Sequence, residues 1–143
     1  MRAVIQRVLE ASVVVNGTVV GSVASPGLLV LLGVTHDDGA EQVGWMARKI
    51  WGLRILRDEQ AACDVDAPIL VVSQFTLYGD ARKGRRPTWS AAARGDVSEP
   101  VYEQVCDELT RLGATVARGR FGADMQVRLV NDGPVTLILD SGV

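Results

Sequence analysis

From Ala3 to Val15, β-branched and polar side chains are interleaved as in a strand. Val4, Gln6, Val8 and Glu10 share one face, and Ala3, Ile5, Arg7 and Leu9 share the other. Arg7 therefore sits among apolar neighbours, either as an edge residue whose head reaches water or as a buried cation that holds carbonyls in place. Asn16-Gly17 is a strong hairpin signal, and Thr18 to Ala24 is the return strand. After a turn at Ser25-Pro26-Gly27, Leu28 to Val34 is apolar almost without interruption, as in a strand covered on both faces.

The pattern then becomes helical. Val43, Met46, Ala47 and Ile50 recur at helix spacing, with Asp37 or Asp38 as the cap, a start near Gly39 and a stop at Gly52. Trp45 and Trp51 extend the buried face. Leu53 to Leu56 reads as a short strand and Arg57 to Ala67 as a loop. Pro68 to Leu77 is a second buried strand that turns polar at Ser73, Gln74 and Thr76. Ligands tend to sit beyond such strand ends. Tyr78 to Asp96 has no period. Ser98 caps a second helix with Glu99 and Pro100 in its first turn, Val101, Val105, Leu109 and Leu112 as its stripe, and Gly113 as its end. Thr115 to Ala117 begins a strand, and Arg118 to Asp124 is a loop. Met125–Val130 and Val135–Asp140 form a final hairpin around Asn131-Asp132-Gly133-Pro134. The order β-β-β-α-β-α-β-β-β predicts a single α/β domain over residues 1–143, with mixed β-sheets packed in layers and two main helices.

Composition narrows the function. Fifteen basic and seventeen acidic residues give a net charge of -2, which excludes a coat for nucleic acid built on bulk charge but leaves room for a local basic patch. Cys63 and Cys106 are isolated, so neither a disulfide framework nor a zinc site is indicated. The first residues lack the apolar core of a signal peptide, and no run approaches membrane-spanning length, so a cytoplasmic location is the expectation. His36 is the only histidine and lies in a polar turn, so an imidazole mechanism is not favoured. No metal-ligand spacing, phosphate-binding loop or dinucleotide fingerprint is present, so no cofactor is expected. An enzyme of this composition needs an activated substrate and backbone donors for developing negative charge.

Three stretches are candidates for chemistry. Ser73-Gln74-Phe75-Thr76, at a strand end, either offers such donors or satisfies its own backbone. Arg82-Lys83-Gly84-Arg85-Arg86 holds four cations in five residues, as a solvated loop or as phosphate contacts. Asn131 to Pro134 carries more turn formers than a hairpin requires, and serves either as an ordinary turn or as a rigid backbone wedge against a ligand.

Ser73-Gln74-Phe75-Thr76-Leu77, followed by Asn131-Asp132-Gly133-Pro134-Val135-Thr136, resembles the signature pair of the D-aminoacyl-tRNA deacylases. The resemblance covers essentially the whole chain, including Met1 to Val8, Lys83-Gly84-Arg85-Arg86-Pro87 and Phe121 to Met125. Two departures are a shorter stretch at Gln60 to Ala67 and Gly79 where alanine is common. The resemblance implies a homodimer with shared sites, acting on D-aminoacyl-tRNA without a metal or cofactor. Gly133-Pro134 is then a Gly-cis-Pro element that enters the neighbouring subunit's pocket, binds the substrate amino group through its carbonyls and leaves no room for an L side chain. Glycine would pass this screen. Arg7 anchors the wedge, Ser73, Gln74, Phe75 and Thr76 line the pocket, and Ala92 and Met125 border it. Backbone N–H groups near Phe75 and Thr76 would hold the oxyanion, with the 2′-hydroxyl of the terminal adenosine assisting an attacking water. The competing readings are Thr76 as a covalent nucleophile, acting on aminoacyl-tRNA or on simple esters, and a tRNA-binding editing module without catalysis.

Overall fold

A computed structural model describes residues 1–142. Strands β1 (Arg2–Val15), β2 (Thr18–Val23) and β3 (Gly27–Gly33) come first, followed by helix α1 (Ala40–Gly52), the one-turn helix α2 (Ala62–Val65) and β4 (Ile69–Ser73). Helix α3 (Gly95–Leu112), β5 (Val116–Arg118) and β6 (Gln126–Asp140) complete the chain. One mixed six-stranded sheet joins all the strands in the order β2-β1-β3-β4-β5, with β6 on the free side of β1. The expected fold class is observed, with the final strands arranged differently.

β1 organises the sheet. Its first half pairs with β3, its second half with β2, and nearly its whole other edge with β6. At Asn16-Gly17 both residues have positive φ (48° and 78°), the backbone that a tight β1–β2 hairpin requires. β3 and β4 are parallel and buried on both faces, as their apolar runs predict. Leu28, Val30, Leu32, Ile69 and Val71 face α1 and α3, whose buried residues include Met46, Ile50, Tyr102, Val105 and Leu109. Leu29, Leu70 and Val72 face the other way and meet Val8, Ala11, Val13, Val15 and Val23 in a second core. The sheet curls to enclose that core, and β2 comes so close to β5 that a Cβ on Gly21 would lie 2.1 Å from the Arg118 carbonyl oxygen. Along β1, Leu9 is an extra residue between the Val8–Asn131 and Glu10–Val130 pairs. This bulge reverses the alternation, so Ile5 and Arg7 point to one side while Ala11 and Val13 fill the enclosed core.

Five sequence expectations are corrected. The final hairpin is one strand, both halves of which run antiparallel to β1. Leu53–Leu56 forms no strand and leads into a single 3-10 turn at Arg57–Glu59, and the loop beyond it contains α2. Asp38 does not cap α1, whose N-cap is Gly39, because its carboxylate takes the Met1 amino group (2.6 Å) and the Thr35 N–H (2.8 Å). Ser98 lies inside α3 and is buried, because the helix already starts at Gly95 with Arg94 as its N-cap.

Candidate active site and an exposed backbone wedge

The parallel strands β3 and β4 end side by side, and the chain leaves β4 through Gln74 into a 3-10 turn, Phe75–Tyr78. Gln74 N–H donates to the Leu32 carbonyl at 2.8 Å, which fixes the turn against the end of β3. The first N–H groups of a helical turn have no internal acceptor. Among the described residues, the Phe75 and Thr76 N–H groups find none elsewhere in the backbone. The Gln74 side-chain amide donates to the Thr76 hydroxyl. The turn is tied to the far end of the chain by Arg2, which donates to the Leu77 carbonyl (3.0 Å) and to Asp140 (2.8 Å). Burial raises the Tyr78 hydroxyl to about 12, with the Asp38 and Asp140 charges adding to the shift.

Beyond these strand ends lies a cavity of about 400 Å³, where the two-sided strand pattern predicts a ligand site. Ser73, Gln74 and Phe75 form one wall and Ala92 to Gly95 another, while Ser98, Tyr102 and Phe121 close the bottom. The Tyr102 hydroxyl donates to the Val71 carbonyl at 2.8 Å, which locks α3 to β4. At the mouth, half-exposed Phe75 meets Trp89 edge to face, with ring centroids 5.5 Å apart. His36 has a structural contact. Its Nε2 lies 2.7 Å from the Ser90 carbonyl, and with the Thr35 hydroxyl on the Ala91 carbonyl (2.6 Å) it pins the wall that carries Ala92.

The basic loop springs from this mouth. Asp80 and Thr88 exchange two backbone hydrogen bonds of 2.9 Å, and Arg82 to Pro87 project beyond them, all exposed. Arg82 grips Asp80 through Nε (2.9 Å) and Nη2 (2.6 Å), and holds that carboxyl down at about 2. Lys83, Arg85 and Arg86 form no ion pair among the described residues.

Gly133-Pro134 lies elsewhere. Gln6 pairs with Thr136 and Val8 with Asn131, so residues 132–135 loop out of β6 opposite the single residue Arg7. The Gly133-Pro134 peptide is cis, and both residues are exposed. Arg7 is buried behind the loop, with Nε donating to the Asp132 carbonyl (2.9 Å) and Nη2 to the Gly133 carbonyl (3.3 Å). The Asn131 side-chain amide closes the base by donating to the Arg7 carbonyl (2.9 Å) and the Val135 carbonyl (3.1 Å). Of the two sequence readings of Arg7, the buried cation holding carbonyls is the one observed.

Within one chain, then, the cavity takes Ser73, Gln74, Phe75 and Ala92 from the sequence-derived set, but neither the wedge nor Arg7. Thr76 sits in the turn beside it. Met125 does not line the cavity and packs against the enclosed core. Sequence reasoning missed Trp89, Arg94, Ser98, Tyr102 and Phe121, of which Trp89, a lone indole in a polar stretch, offered a readable signal.

Comparisons with known proteins agree with one another. The model of the D-Tyr-tRNA(Tyr) deacylase family matches residues 4–140. A D-aminoacyl-tRNA deacylase from Kineococcus radiotolerans is 65% identical over 141 residues, which cover 99% of this chain and 100% of that protein. One from Streptomyces coelicolor is 62% identical over 140 residues, covering 98% and 99%. A solved structure described as c-Myc DNA unwinding element binding protein superposes with a TM-score of 0.92 at 38% identity, covering 99% of both chains. Since relatives this similar extend over essentially the full length of the chain, it belongs to the D-aminoacyl-tRNA deacylases, enzymes that hydrolyse the ester joining a D-amino acid to its tRNA.

Proposed function

We propose that this deacylase senses chirality with the Gly133-Pro134 wedge of one subunit inserted into the Ser73–Phe75 cavity of another, in a homodimer with shared sites. The observation that carries this reading is that the wedge is held by two Arg7 hydrogen bonds and exposed, yet takes no part in lining the cavity of its own chain. Among the described residues β6 has no partner along its outer edge, and Leu129, Val130 and Ile138 are exposed on it. A long apolar strand edge of this kind is suited to pairing with a second copy. The wedge carbonyls take the substrate amino group, an L side chain collides with the loop, and a D side chain or the hydrogen of glycine is tolerated. The enzyme then proofreads D-aminoacyl-tRNA, and mischarged glycyl-tRNA, in the cytoplasm. The decisive assay follows ester loss from matched D- and L-aminoacyl-tRNA. D-ester turnover with the L-ester spared is expected, and equal turnover of both would overturn the reading.

Hydrolysis proceeds with little side-chain chemistry. The Phe75 and Thr76 N–H groups are the donors for the oxyanion, and the 2′-hydroxyl of the terminal adenosine assists the attacking water. Among the described residues the Thr76 hydroxyl meets an amide donor, Gln74 Nε2, and no base that would take its proton. Thr76→Ala should therefore keep activity within about tenfold, while a tRNA ending in 2′-deoxyadenosine should lose on the order of 100-fold. The opposite pattern in single-turnover kinetics would establish Thr76 as the nucleophile.

Lys83, Arg85 and Arg86 meet the tRNA backbone near the cavity mouth. Neutralising all three should weaken tRNA binding and flatten the slope of log affinity against log salt by roughly 2. An unchanged slope would leave them as a solvated loop.

A further inference from the structure

We propose that Arg57 is a positioning residue that fixes the Gly133-Pro134 wedge from the solvent side by gripping both carboxylate oxygens of Asp132. The proposal rests on the reading of Gly133-Pro134 as the chirality wedge. Asp132 begins the looped-out segment, one residue before Gly133. Its carboxylate receives Arg57 Nη2 at 2.5 Å on one oxygen and Nε at 3.2 Å on the other, the forked geometry that sets direction as well as distance. Arg7 approaches the second oxygen at 3.2 Å from the buried side, while its Nε holds the Asp132 carbonyl. One residue is thus held through side chain and main chain by two guanidinium groups.

Behind the loop lies a cavity of about 450 Å³ bordered by Arg7, Arg57, Gln60 and Asp132. Beside this cleft, the guanidinium contacts from Arg7 and Arg57 hold Asp132. Arg57 is itself presented by the 3-10 turn at Arg57–Glu59, closed by Leu56 N–H on the Gln60 carbonyl (2.9 Å) and Gln60 N–H on the Arg57 carbonyl (3.3 Å). The same segment offers the Ile55 carbonyl to Arg7 Nη1 at 3.5 Å. The segment therefore couples the wedge to the stretch from Gln60 to Ala67 that follows it.

An exposed ion pair adds little to global stability. Its effect should appear in recognition. Arg57→Ala should leave the melting temperature nearly unchanged and raise KM for D-aminoacyl-tRNA by roughly three- to tenfold with a smaller change in kcat. L-ester turnover should rise above background, and Arg57→Lys should recover part of the loss. The hydrogen bond from Arg57 holds the Asp132 carboxyl below the usual carboxylate range. Removing it lets that carboxyl protonate at higher pH, so the acid limb of kcat/KM should move upward in Arg57→Ala. Wild-type kinetics and pH profile in Arg57→Ala, alongside an impaired Gly133→Ala, would overturn the clamp and leave the wedge standing. Wild-type behaviour in both variants would overturn the wedge itself. A joint fall in kcat and melting temperature, with KM and pH profile unmoved and no rescue by lysine, would assign Arg57 a structural role and overturn the proposal.

Discussion

Replacing Gly133 by alanine is expected to lower kcat/KM for D-aminoacyl-tRNA by roughly 100-fold, the scale of a sub-ångström to ångström misplacement at a reacting centre. A Cβ there would lie 3.2 Å from Asn131 Oδ1, so the Asn131 amide must give way. That amide holds the Arg7 and Val135 carbonyls, and its movement shifts the base of the whole loop. The added methyl also takes up room beside the carbonyls proposed to receive the amino group. Fold stability should change by less than about 1 kcal/mol, because Gly133 does not need a left-handed backbone and alanine reduces the freedom of the unfolded chain. Steady-state kinetics with a thermal melt separate the two effects. Mixing this variant with one defective at Phe75 supplies a further check. Heterodimers combining a sound cavity with a sound wedge should regain activity, and no regain would refute the shared site.

Arg7→Ala is expected to have the second large effect, and here stability and activity fall together. Arg7 is only 8% exposed and donates to the Asp132, Gly133 and Ile55 carbonyls. Its loss leaves those oxygens unpaired and removes the buried partner of a carboxylate, a change worth about 3 kcal/mol. In a chain of 143 residues this should lower the melting temperature by about 6–12 °C. D-ester turnover should fall with the wedge disordered. Arg7→Lys tests whether charge alone suffices. An ammonium cannot span carbonyls approached by three different nitrogens, so lysine should regain part of the stability and little of the turnover. Wild-type melting and activity in Arg7→Ala would show that the loop holds its shape unaided.

The elements that local pattern controls were legible from the sequence. β3 and β4 carry uninterrupted apolar runs, and α1 and the body of α3 carry helical stripes, so both helices and both central strands were readable. The position of Arg7 on the inner face followed from parity with Ile5. What failed depends on distant partners. Asn131 to Pro134 has the turn chemistry of a hairpin tip, and only the length of β1, which pairs with both flanks, makes it an excursion from a continuous strand. Asp38 has the chemistry of a cap but is claimed by Met1. Arg57 looks like any loop cation until the fold brings it to Asp132. The cavity was half readable, because the β4 end lies in one segment while Trp89, Ser98 and Phe121 converge on it from three others.

The four-against-one register at Arg7 also limits how this protein can vary in length. Side chains on a strand change face with every residue added or removed. Deleting one position between Asp132 and Val135 would either draw the Asp132 and Gly133 carbonyls off the Arg7 nitrogens or slip one flank of β6 against β1 and turn it inside out, exchanging its outward row for its inward one. The tip beyond Asp80 and Thr88 answers to no such arithmetic, since a single bridge closes it and nothing beyond the bridge is in register. Insertions and deletions should therefore be tolerated at the arginine-rich tip and rejected at the wedge, even where every amino acid type is kept.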